Sequence, residues 1–89
     1  MMDEGHLLKL AFARVVKKTR ISCGLTPQEL SDRSNIYIER IYKIEKGDVD
    51  ANIVEIIRIA MALNMRPAEL VIRAEVMAEI TGGRHHAKS

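Results

Sequence analysis

The tightest constraint on the fold lies in residues 26–47, which spell two short helices joined by an abrupt corner. Thr26 can cap a helix, Pro27 suits its first turn, and Glu29 stands where a capping-box carboxylate reaches back to the cap. Leu30 is apolar, and Ser31 is small enough to let a second helix approach closely. Asn35 tolerates the left-handed backbone that a corner needs, and Ile36 follows as an apolar plug. Ile41 and Ile44 lie three apart and share one face of the next helix, which Gly47 can end in a left-handed cap.

The flanking segments also read as helices. Residues 1–6 are expected to fray. Over about residues 7–22, Leu8, Phe12, Val15, Val16 and Thr19 recur at helical spacing, with the basic residues mostly off that stripe. Gly24 breaks this helix and Leu25 anchors the turn. The second and third helices are expected over about residues 27–33 and 37–46. Asn52 can cap a fourth, running to about Leu63, which Ile53, Ile56, Ile57, Ile59 and Ala60 make apolar on more than one side. Asn64 can turn a second left-handed corner with Met65 as its plug. Pro67 then opens a fifth helix that continues to Ile80 and stops at Thr81-Gly82-Gly83. Nothing alternates with period two for long, so the expected class is all-α.

Eighty-nine residues support one small domain. With one phenylalanine and no tryptophan, its core must be built from Leu, Ile, Val, Met and Ala. No apolar run approaches the roughly 18 residues of a membrane span, and no signal-peptide pattern is present. Cys23 is alone, which fits a reducing cytoplasm. A net charge of +2 is too weak to argue for nucleic acid, but its distribution is informative. Lys9, Arg14, Lys17, Lys18 and Arg20 fall within twelve residues that contain no acid. His85 and His86 are adjacent, a poor spacing for tetrahedral metal, and with His6 and Cys23 they make no convincing ligand set. Neither a metal nor a cofactor is expected. No nucleophile–base constellation or Gly-rich phosphate loop points to an enzyme.

Residues 25–47, LTPQELSDRSNIYIERIYKIEKG, resemble the helix-turn-helix of the phage-repressor type, the Xre or Cro/cI-like family. The matching features are the small Ser31, the turn-former Asn35, the branched Ile36, Ile41 and Ile44, and the ending Glu45-Lys46-Gly47. The likeness continues through IIRIAMALNMRPAEL at residues 56–70, and covers about residues 8–70 in all. It implies a compact five-helix lambda-repressor-like DNA-binding domain over residues 7–70. An extended C-terminal helix over 71–83 and a loose basic tail over 84–89 would follow.

On a wheel of about 100° per residue, Glu39, Tyr42, Lys43 and Lys46 point away from Ile41 and Ile44. Ile38 and Arg40 fall on the flanks, and Tyr37 and Asp48 near the inner face. By position, Ile38, Glu39, Tyr42 and Lys43 match the family's base readers. Lys43 suits guanine O6 or N7, Glu39 the amino group of cytosine, and Ile38 a thymine methyl. Tyr42 and Lys46 suit phosphate, and Arg40, Gln28, Lys17 and Asn52 complete the expected DNA-binding set. The resemblance also implies that Arg20 pairs with Glu45. Two positions depart from the pattern: Pro27 replaces a frequent phosphate-binding glutamine, and Tyr37 replaces a Ser or Thr cap.

The fifth helix carries more apolar residues than a small domain can cover. Val71, Ile72, Val76, Met77 and Ile80 are therefore expected to form a two-fold dimer interface. Such a dimer repeats the third helix about 34 Å away, matching a palindromic operator. The expected function is a sequence-specific transcription regulator whose partners are double-stranded DNA and a second copy of the chain. The alternative is a protein-interaction module, such as an antitoxin that binds a toxin through the same helix. Structurally, the extension can instead fold back on its own domain.

Overall fold

The computed structural model describes residues 3–82, which form α1 (Glu4–Ser22), α2 (Pro27–Ser34), α3 (Ile38–Lys46), α4 (Ile53–Ala62) and α5 (Pro67–Gly82). No strand occurs among the described residues. The basic tail, with His85 and His86, lies outside them. The core is aliphatic: Val16, Leu30, Ile41, Ile44, Ile59 and Leu70 are fully buried, drawn from all five helices.

α1 begins earlier than its apolar stripe suggests. The Asp3 side chain accepts from His6 N at 2.7 Å and caps the helix, so Glu4 and Gly5 are helical rather than frayed. Leu8 is exposed, against expectation, whereas Ala11 and Ala13 are buried.

The two corners form as their asparagines dictate. Asn35 (φ 59°) ends α2 and Asn64 (φ 61°) follows α4. Thr26 and Glu29 close the capping box at the start of α2, with bonds of 3.1 and 2.9 Å. Ser31 does more than make room. Its buried hydroxyl donates to the Ile36 carbonyl and ties the corner shut.

α5 folds back along α1, and these two helices form the most extensive contact in the molecule. Leu70, Ala74 and Ala78 are the buried face. The small Ala74 and Ala78 let the helix axes approach, so the extension belongs to the globule and is not a free arm. Met77 turns inward and packs against the core, which corrects its placement among outward residues. Val71, Ile72, Val76 and Ile80 remain exposed. On α4, Ile59 and Ala60 are buried, as is Leu63 at its C-terminal cap, while Ile53, Val54, Ile57 and Met61 are open. No described helix is long and apolar enough to cross a membrane.

Candidate nucleic-acid interface

α3 is only nine residues long, about two and a half turns, so its orientation has to be imposed by what it packs on. Its inner side is the sharpest feature of the molecule: Ile41 is 0% and Ile44 1% exposed. Glu39, Tyr42, Lys43 and Lys46 are exposed on the other side, Tyr42 at 51%. Among the described residues nothing covers that side. Ile38 is half-buried, so only part of it is open to a ligand.

Tyr37 stands just ahead of α3 and makes no capping bond. It does not lie near the inner face as the wheel suggests. Its side chain projects into solvent at 85% exposure. The helical wheel fails here because Tyr37 has an extended backbone (φ −55°, ψ 144°), to which helical periodicity does not apply. This exposed aromatic lies beside Ile38 and Glu39 at the start of α3.

The far end of α3 is fixed from below. Arg20 on α1 donates through Nε and Nη2 to Glu45 Oε2 and Oε1 at 2.8 and 3.0 Å, and through Nη1 to the Leu25 carbonyl at 2.8 Å. Both side chains are under one-tenth exposed. The planar guanidinium fork thus holds α1, the turn after it and the last turn of α3 together.

A second fork acts nearer the start of α3. Arg40 meets Glu55 at 2.7 and 3.0 Å and the Asp50 carbonyl at 3.0 Å. The hydrogen bond from Arg40 holds the Glu55 carboxyl below the ordinary carboxylate range, overcoming the burial that pushes it up. The same bond raises Arg40. Because the folded value of Glu55 is lowered, its stabilisation is complete above the ordinary glutamate range. It is lost only as the pH falls through the lowered value, so the pair persists at neutral pH.

The remaining residues of the expected set lie outside α3. Lys17 is exposed on α1. Gln28 is exposed on α2, with its amide donating to Asp32 at 2.9 Å. Asn52 closes a capping box with Glu55 at the start of α4, its side-chain oxygen accepting from Glu55 N at 2.8 Å. Among the described residues no group of His, Cys, Asp and Glu converges as a metal site.

A two-helix corner with a buried isoleucine face beneath an open polar face defines the helix-turn-helix class of DNA-binding proteins. Residues 16–70 match the helix-turn-helix family, and the chain belongs to it as a DNA-binding regulator of the Xre type. No curated protein matches this sequence. Among solved structures the chain is similar to the clp gene regulator ClgR from Corynebacterium glutamicum. The two align with a TM-score of 0.80 and 18% identity, over 91% of this chain and 86% of that one. At that identity the likeness is one of fold. It covers more of the chain than the matched family segment does.

Proposed function

We propose that the chain binds a palindromic operator as a homodimer and regulates transcription by occupancy, with α3 lying in the major groove. The observation that carries this reading is the division of α3 into a fully buried isoleucine side and an open side bearing Glu39, Tyr42, Lys43 and Lys46. Ile38, Glu39, Tyr42 and Lys43 face base edges, while Lys46, Lys17, Gln28 and the amide end of α4 at Asn52 meet phosphates. Tyr37 joins them at the rim of the groove.

Lys43→Ala is expected to weaken binding to a duplex selected from a random pool by about tenfold, the size of one good base contact. The helical circular dichroism should not change. Affinity equal to wild type would remove Lys43 from the groove. Wild-type binding should also fall steeply with salt, as phosphate contacts release counterions.

The exposed Ile72, Val76 and Ile80 recur every four residues on the outer side of α5 and form the dimer contact of this reading, while Val71 lies on the other flank, toward Leu8 and Phe12. Val76→Asp puts a charge in the middle of that stripe. It is expected to give monomers in sedimentation and to lose most operator affinity at fixed monomer concentration. Persistent dimers would place the interface elsewhere. A wild-type monomer with flat, negligible DNA binding across salt would favour the antitoxin-like reading of the same stripe.

A further inference from the structure

The proposed docking leaves Arg40 with no obvious task. It is a basic residue on the flank of the recognition helix, yet its guanidinium turns toward α4. Nε donates to Glu55 Oε2 at 2.7 Å, and Nη2 to Glu55 Oε1 and the Asp50 carbonyl, each at 3.0 Å. Glu55 is occupied as well. Its Oε1 also accepts from Asn52 N at 2.9 Å, closing the first turn of α4. One carboxylate therefore caps α4 and clamps α3. Nε and Nη2 of Arg40 are thus committed inside the protein, and the fork faces α4 rather than the open side of α3.

We propose that Arg40 and Glu55 are positioning residues for DNA recognition: they set the distance and angle between the base-reading side of α3 and the start of α4, and Arg40 is not itself a DNA ligand. The inference rests on the groove docking proposed above. Three observations support it. A bidentate fork fixes orientation as well as distance, which apolar contacts alone do not. α3 is pinned near its end by Arg20 and Glu45. Near its start Tyr37 supplies no cap, so the Arg40 fork gives the first turns a polar anchor. Without it the short rod can pivot about its C-terminal end, and base-edge contacts are sensitive to such displacement.

The test separates positioning from direct contact because the two give opposite signs for Glu55→Gln. That change keeps an oxygen to accept from Asn52 N but removes the charge that holds Arg40. Binding is measured for Arg40→Gln, Glu55→Gln and the double variant, against a duplex enriched by wild type from a random pool and against a scrambled duplex. Measurements are made where circular dichroism shows each variant folded, across a salt series.

Each single variant should lose about tenfold in selectivity for the enriched duplex, and the double variant no more than either alone. The salt slope of Glu55→Gln should match wild type. Glu55→Gln binding as well as wild type or more tightly, with a slope lowered by about one in Arg40→Gln, would mean that Arg40 contacts phosphate and overturns the proposal. Lowered melting temperatures with wild-type selectivity would reduce the pair to a stability role and overturn it too. A wild-type chain that enriches no sequence overturns the groove docking and this inference together. Enrichment by wild type, matched by Glu55→Gln, overturns this inference alone.

Discussion

Arg20→Ala is expected to destabilise the chain by about 3–5 kcal/mol, read from the midpoint of urea unfolding, because it strands a buried carboxylate. The Glu45 side chain is 7% exposed and takes both of its close bonds from the Arg20 fork. The same truncation leaves the buried Leu25 carbonyl without its side-chain donor. A domain of this size holds only about 5–10 kcal/mol in total, so the loss should be visible as partial unfolding at physiological temperature. Replacing both partners by apolar residues of similar volume, Arg20→Met with Glu45→Leu, should cost less than Arg20→Ala alone. The pair therefore contributes less net stability than its deletion suggests, and its main effect is to fix where α3 ends. A midpoint for Arg20→Ala within about 1 kcal/mol of wild type would mean that the two charges are not coupled.

Gly47→Ala is expected to cost about 2–5 kcal/mol, as the sum of two separable effects. Its φ of +76° is a left-handed conformation, which carries roughly 1–2 kcal/mol for a residue with a Cβ. The added Cβ would also meet Leu10 Cδ2 at 2.5 Å, with the Ala13 Cβ at 3.7 Å closing the space behind it. Displacing Leu10 adds an overpacking cost of about 1–3 kcal/mol. Gly24 is the internal control. Its φ is +74°, but a Cβ there meets nothing within 4 Å, so Gly24→Ala should show the backbone cost alone. Equal losses at the two positions would show that Leu10 moves aside freely and that the end of α3 is not tightly seated on α1.

Much of this molecule could be read from local rules. Asn35, Asn64 and Gly47 adopt the left-handed corners expected of their residue types. Thr26 with Glu29 forms its capping box. Ile41 and Ile44 are the buried side of α3, because a three-residue spacing places both on one face of a helix whatever it packs against. The Asp3 cap has no mark in the apolar pattern, because no residue of the stripe lies near it. Asn52 reads as a cap from its residue type, whereas the bond from Arg40 to Glu55 joins two helices and leaves no local trace.

What the chain encodes by itself, then, is where the helices after the first begin and end and which side of α3 is apolar. These are fixed by backbone preference and by contacts three or four residues apart. Only the assembled bundle decides that Arg40 meets Glu55 fifteen residues away, that α5 covers its alanine side and leaves its isoleucines open, and that Tyr37 turns outward. Each of those depends on how two separate rods lie against each other. That arrangement follows from the shapes of the whole core, and periodicity along one segment carries no record of it.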